Sequence, residues 1–154
     1  VAGVSEIGKD YYQKWIDSDD VKVVNDKTYD ILKIAQAALI TSGTATLETA
    51  LFNVPQVVCY KGNRFSYWMA KRLIEVNYIS LVNLILNRPL LKELIQKELT
   101  PTNLKDELQK LLPGKAKREE VLAGYEQLSH ALGKETGSQE AAQIIYQFLG
   151  ESTK

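Results

Sequence analysis

Ser42, Gly43, Thr44, Thr46 and Glu48 stand together in the stretch SGTATLE, and their types suit the binding of an anion. Ser42, Gly43 and Thr44 are small, so they leave backbone N–H groups accessible where an apolar run ends and helical spacing begins. Unpaired N–H groups at the start of a helix, aligned with its dipole, attract phosphate oxygens. Glu48 follows one turn further in, where a carboxylate is an acceptor for ligand hydroxyls. Two plainer readings stand beside this one. Tight strand-to-helix turns use small residues without any phosphate, and a lone glutamate on a helix is commonly solvated.

The elements around the turn are predicted from hydrophobic spacing. Ala37 to Ile40 is a short apolar run, read as a core strand. Ala45, Glu48 and Leu51 are spaced three apart, read as a helix that Asn53 and Pro55 stop. Gln56 to Tyr60 is strand-like again. In an open α/β sheet such a turn lies at the carboxyl edge of the strands, where ligands bind. Upstream, Val1 to Val4 reads as the end of a strand, Tyr11 to Trp15 as helical or irregular, and Val21 to Val24 as a short strand. Ile31, Ile34 and Ala35 mark the inner face of a helix that Thr28 is placed to cap. Downstream, Asn63 precedes a helix with the stripe Phe65, Trp68, Met69 and Leu73. The order βαβαβα with apolar strands predicts a Rossmann-like parallel sheet covered by helices on both faces.

After Tyr78 the pattern predicts no further strand. Residues 1–99 are expected to form the α/β core and 100–154 a helical tail. Thr100-Pro101 is a helix start, followed by the stripe Leu104, Leu108 and Leu111. Pro113-Gly114 breaks that helix, and the basic run Lys115 to Arg118 opens the next, with Val121, Tyr125, Leu128 and Leu132 inward. Ser138 is placed to cap a last helix facing inward through Ala141, Ile144, Ile145, Phe148 and Leu149.

Composition bounds the function. The 154 residues are 45% hydrophobic and 25% charged, a balance that supports one globular core. Formal net charge is zero, with 19 basic and 19 acidic residues, so no overall field draws the chain to nucleic acid. No apolar run is long enough to cross a membrane, and the amino-terminal residues have no signal-peptide pattern. The single cysteine, Cys59, excludes a disulfide framework and fits a reducing cytosol. The one histidine, His130, stands on a helical face, and no paired acids lie near the turn, so no metal site is expected.

Five blocks in order give the chain a resemblance: SGTATLE (Ser42 to Glu48), VPQVVCYK (Val54 to Lys61), FSYWMAKRLI (Phe65 to Ile74), YISLVNLILNR (Tyr78 to Arg88) and LLKELIQ (Leu90 to Gln96). Together they resemble the lipid-A-disaccharide synthase family, glycosyltransferases of the two-domain GT-B architecture. Coverage is good from Ala37 to Leu112 and weak at both ends. Val82 stands where the family usually has proline. The last block resembles the family's closing acid-containing helix.

The resemblance implies a role for each matched segment. The match is to the family's second, donor-binding domain, whose first strand and arginine-bearing turn would precede Val1. The chain is therefore expected to be a carboxyl-terminal fragment, inactive alone, with catalytic residues unknown and expected in the first domain. The family reaction moves 2,3-diacylglucosamine from its uridine diphosphate carrier to 2,3-diacylglucosamine 1-phosphate. The α-linked donor and β-1,6 product imply inversion by direct displacement, which needs a base for the acceptor hydroxyl and stabilisation of the leaving diphosphate. Donor-binding candidates are Ser42, Gly43, Thr44, Thr46, Glu48, Lys61, Asn83 and Arg88. Glu48 would accept from the ribose hydroxyls and Lys61 would reach a phosphate. For Asn83 and Arg88, turn hydrogen bonding and carbonyl capping stay open as alternatives. No cofactor beyond the UDP-sugar substrate is expected.

Lys61 to Arg72 carries basic residues among Phe65, Tyr67 and Trp68. It admits contact with an anionic membrane surface, or a sheet-covering helix with solvated basic residues; the single aromatic stripe favours the second. A cytoplasmic location, peripheral on the inner membrane, follows from the lipid substrates. A homodimer through exchanged carboxyl-terminal helices is a further expectation. Two other function classes stay open: another UDP-sugar GT-B enzyme (a cell-wall precursor glycosyltransferase or a sugar 2-epimerase) and a non-catalytic α/β interaction domain.

Overall fold

The structure is a computed structural model that describes residues 1–41, 43–62, 78–133, 141–142 and 144–148. The helix expected at Phe65 to Ile74, with its Asn63 cap, lies outside the described residues, as do Ser138 and Leu149. Among the described residues, five short strands form two parallel sheets. Strands β1 (Ala2–Gly3) and β2 (Val24–Asn25) make one. Strands β3 (Ala38–Thr41), β4 (Gln56–Tyr60) and β5 (Glu93–Ile95) make the other, in the order β3-β4-β5. Helices α1 (Lys9–Gln13), α2 (Thr28–Ile34), α3 (Ala45–Leu51), α4 (Leu81–Leu86), α5 (Pro101–Gln109) and α6 (Ala116–Leu132) flank them. The expected α/β, Rossmann-like class with parallel strands is what the chain forms.

The core explains which parts of the apolar pattern fold inward. Val57, Val58, Val82, Leu90, Leu91, Leu94, Leu111, Val121, Tyr125 and Leu128 form one buried cluster. Removing each aliphatic side chain from water contributes about 1.5–3 kcal/mol. Gly124 lets α6 approach Leu90, because a Cβ there would overlap the leucine methyls. Gly3 has the same function between Asn25 and Val23.

Four expectations are corrected. The sheet does not stop at Tyr78: Glu93–Ile95 is a strand, paired Val58 to Glu93 and Tyr60 to Ile95, not the acid-containing helix read over Leu90 to Gln96. Its acid is consumed by tertiary bonds, since Glu93 accepts from the backbone N–H groups of Ile79 and Ser80. Thr28 is the first residue of α2 rather than its cap, and no side chain caps that helix. Leu32, not Ile34, turns inward; Ile34 is 83% exposed. Helix α3 forms as expected; it buries Thr46, Thr49 and Ala50, a face of small residues that brings it close to the sheet, while Ala45 and Leu51 stay outside. Finally, residues 141–142 and 144–148 are helical, but Ile144, Ile145 and Phe148 are exposed rather than inward.

The tail expectations otherwise hold. Thr100 caps α5 by accepting from the Asn103 N–H at 3.2 Å, with Pro101 in the first turn. Val121, Tyr125 and Leu128 are buried on α6, whereas Leu132 is exposed. Helix α6 then crosses the amino ends of the larger sheet. Arg118 donates to the Gln36 carbonyl just before β3. The Tyr125 hydroxyl donates to the Val54 carbonyl just before β4, at 3.1 Å. Gln127 accepts from Arg88, which precedes β5, at 2.7 Å. An α-helix rising about 1.5 Å per residue covers neighbouring strands about 4.8 Å apart in this way.

Two strand edges face each other across a gap. Strand β1 bonds to β2 through the Val1 and Gly3 carbonyls. Strand alternation therefore turns the backbone groups of Ala2 the other way. Strand β3 bonds to β4 through Ala38, whose N–H reaches the Pro55 carbonyl, so the groups of Leu39 and Thr41 also turn outward. Both edges line a cleft of about 510 Å³ with Glu48 among its walls. Hence β3 is not a fully buried strand: Leu39 is 46% exposed.

Burial pushes the Tyr125 phenol well above its ordinary range. The unfolded chain releases that proton near pH 10 while the folded chain holds it, so stability falls as pH rises past about 10. Urea midpoints followed from about pH 8 to about pH 11 should show a steeper alkaline loss for the parent chain than for Tyr125→Phe. At neutral pH Asn83→Ala, which strands the buried Leu91 N–H and carbonyl, should lower stability by about 2–4 kcal/mol in the same assay.

Candidate functional site

Gly43 and Thr44 follow β3 at the carboxyl edge of the sheet, the end opposite the one that α6 crosses. Gly43 has φ +138°, a conformation that side chains with a Cβ rarely adopt. Its carbonyl accepts from the Thr46 N–H at 3.2 Å and from the Thr46 hydroxyl at 2.8 Å. The Thr44 carbonyl accepts from the N–H groups of Leu47 and Glu48. Gly43, Thr44 and Ala45 are exposed, and among the described residues nothing accepts from the Thr44 and Ala45 N–H groups.

The other candidates divide. Ser42 lies outside the described residues. Thr46 is fully buried, with its hydroxyl spent on the Gly43 carbonyl and its own carbonyl accepting from Gln56 at 2.9 Å. It shapes the turn from inside. Lys61 is exposed and follows β4 directly, so it stands at the same edge as Gly43. The next residue is tied down, because Gln96 donates to the Gly62 carbonyl at 3.1 Å.

Asn83 and Arg88 are placed elsewhere. Asn83 is 1% exposed. Its amide donates to the Leu91 carbonyl and to Glu93, and its oxygen accepts from the Leu91 N–H at 2.8 Å. With its hydrogen bonds made inside the fold, it locks α4 onto β5. Arg88 stands at the amino edge, opposite the Gly43 turn, where it holds Gln127 of α6. Val82, the departure from the family's proline, is buried on the first turn of α4, a position that proline also tolerates.

Glu48 is half-buried and acquires a partner that spacing along the chain does not reveal. The nearby Glu48 carboxylate raises the Tyr29 phenol above its ordinary range, by favouring the protonated hydroxyl as a donor and by its charge. The Tyr29 ring stacks on Phe52, centroids 5.4 Å apart at 18°. Tyr29 and Glu48 share a polar cleft of about 530 Å³ with Asp26, Lys27, Thr28, Asp30 and Lys33. Tyr29 was hidden because α2 and α3 are separated by β3; the one signal was an aromatic residue in the first turn of the preceding helix. Glu93 was signalled weakly, as an acid in an otherwise apolar short run. His130 is exposed on α6, and no cluster of metal-ligating side chains exists among the described residues. No helix among them is long and apolar enough to cross a membrane.

A family model described as lipid-A-disaccharide synthetase matches residues 10–148. The chain is 39% identical to the lipid-A-disaccharide synthase of Nitrosococcus oceani over 113 residues, 73% of this chain and 29% of that protein. It is 34% identical to the enzyme of Coxiella burnetii over 132 residues, 86% of this chain and 35% of that one. Against the Solibacter usitatus enzyme it is 34% identical over 144 residues, 94% of this chain and 38% of that one. The chain thus spans about a third of the length of the curated relatives it matches.

Replacing Glu48 with glutamine should lower the pH at which Tyr29 ionises, toward the ordinary phenol value near 10, because the carboxylate charge is gone. Titration of the Tyr29 ring resonances by NMR measures this directly.

Proposed function

The chain belongs to the lipid-A-disaccharide synthase family, and on that premise we propose that it is the donor-binding part of a longer inverting glycosyltransferase. The substrates on this reading are UDP-2,3-diacylglucosamine and 2,3-diacylglucosamine 1-phosphate. The observation that carries the reading is the exposed Gly43–Thr44 turn, with Glu48 one helical turn beyond it, at the carboxyl edge of a parallel sheet. The accessible N–H groups would take the diphosphate, Glu48 the ribose hydroxyls, and Lys61 a phosphate charge. Stabilising the departing diphosphate is then this part's contribution to the displacement.

The residue that deprotonates the acceptor belongs, on this reading, to chain outside these residues, so the fragment alone is inactive. The two open strand edges across the cleft support a further strand supplied by that longer chain. Acylated substrates also put the enzyme at a membrane surface, peripherally and on the cytoplasmic side. A homodimer through the carboxyl-terminal helices is supported by the exposed Ile144 and Ile145. Thr46 and Asn83 act as positioning residues, and Arg88 has no donor contact.

Calorimetric titration with uridine diphosphate tests the proposal, with adenosine diphosphate as the control. Saturable binding that prefers uridine is expected. Glu48→Ala should weaken it by roughly 10- to 100-fold, the cost of losing hydrogen bonds to a charged acceptor. Arg88→Ala should stay within about twofold of the parent, since that side chain holds the far edge. Equal binding of both nucleotides, or a Glu48→Ala variant that binds like the parent, would overturn the assignment.

A further inference from the structure

We propose that Gln96 is a positioning residue of the donor site, holding the segment of Lys61 and Gly62 so that Lys61 meets the phosphate charge of the ligand. The inference rests on the donor-site reading of Lys61 given above. Strands β4 and β5 pair as far as Tyr60 and Ile95, and there the ladder stops. The Val58 N–H donates to the Lys92 carbonyl, so strand alternation directs Tyr60, and by extension Gly62, toward β5. A further rung would need Gln96 in the extended region. Gln96 instead has φ +52° and begins a short 3-10 helix, Gln96–Glu98. Its side chain takes the place of the missing rung, the amide donating to the Gly62 carbonyl at 3.1 Å.

The backbone of Gln96 is the less usual half of this arrangement. Left-handed backbone is strained for residues with a Cβ, and Asn and Asp tolerate it best because their short side chains bond locally. Among the described residues, the other non-glycine residues with positive φ are Asp26, Asn53 and Asn87. Gln96 alone of the four has a longer side chain. Glycine would adopt this backbone more easily, but it has nothing with which to reach Gly62. Strain of this kind persists where the surroundings fix it, and it concentrates at functional sites. Here it accompanies a bond across the carboxyl ends of β4 and β5, beside an exposed lysine. Gly62 is also confined by Tyr60, since a Cβ there would stand 2.8 Å from the phenol oxygen. Held in these two ways, Gly62 restricts the backbone that carries Lys61. A lysine side chain is long and flexible, so fixing its base reduces the ordering that a phosphate must impose on it.

Calorimetric titration of the chain with uridine diphosphate tests this in the parent, Lys61→Ala, Gln96→Gly, Gln96→Met and each Gln96 substitution combined with Lys61→Ala. Gln96→Gly relieves the left-handed strain and Gln96→Met keeps a side chain of similar length; both lack the donor. Both should keep the parent's circular dichroism, and the urea midpoint of Gln96→Gly should stay close to the parent's, relieved strain offsetting the lost bond. Lys61→Ala should weaken binding roughly tenfold and each Gln96 variant roughly fivefold, with the double variants within about twofold of Lys61→Ala alone. Raising the salt from about 50 to about 500 mM should weaken the parent's binding more than that of any variant, because screening acts on the lysine contact. A glutamine that only ends β5 would show in the urea midpoint and leave the salt dependence unchanged, and that result would overturn the proposal. Gln96 variants that bind like the parent while Lys61→Ala binds weakly, or whose effect adds in full to that of Lys61→Ala, would overturn the positioning role and leave the donor site standing. A Lys61→Ala variant that binds like the parent would overturn the phosphate contact and this inference with it, as would a parent chain that does not bind.

Discussion

Parallel strands all point one way, so the larger sheet has two chemically different ends, and α6 covers only one of them. Its side chains reach the carbonyls just before β3 and β4 and the arginine before β5. Those bonds join the last long helix to the amino edge. Gly43 and Lys61, at the opposite, carboxyl edge, are exposed.

The same constraint sorts the polar residues in the interior. Gln56, Thr46 and Tyr125 form a buried chain of bonds between β4, α3 and α6. Asn83 and Glu93 form a second between α4 and β5. In a low-dielectric interior each unpaired polar group costs about 1–3 kcal/mol, so such side chains are retained where their partners are present. Two side-chain oxygens depart from that pattern, buried without a partner among the described residues: that of Asn25 and that of Gln56. The Gln56 amide nitrogen makes two bonds, which outweighs leaving its oxygen bare.

Glu48 differs from these in kind. Its partner Tyr29 is exposed and stands on another helix, so the pair lines a cleft instead of closing a core. The cleft lies beside the open edges of β1 and β3, with Thr28 and Glu48 common to both spaces. The small residues that let α3 sit close to the sheet thus also set how far Glu48 stands from α2.

Local pattern was sufficient for the class of fold, the strand and helix elements between Ala38 and Tyr60, and the cap at Thr100. Each depends on residues within a few positions of one another, whose spacing and backbone freedom act before any tertiary contact. The five ordered blocks were sufficient for the family, because that many matches in sequence seldom arise by chance. The strand at Glu93–Ile95 was not legible. A short run with two leucines and an acid is ambiguous until the β4 edge and the Ile79 and Ser80 N–H groups are beside it. The inward face of α2, the burial of Asn83, the retreat of Arg88 to the far edge and the pairing of Tyr29 with Glu48 were likewise decided by the tertiary structure. In each case the deciding group is distant along the chain or faces another element, and a side chain's type does not say whether its hydrogen bonds will be met inside the fold or left for a ligand.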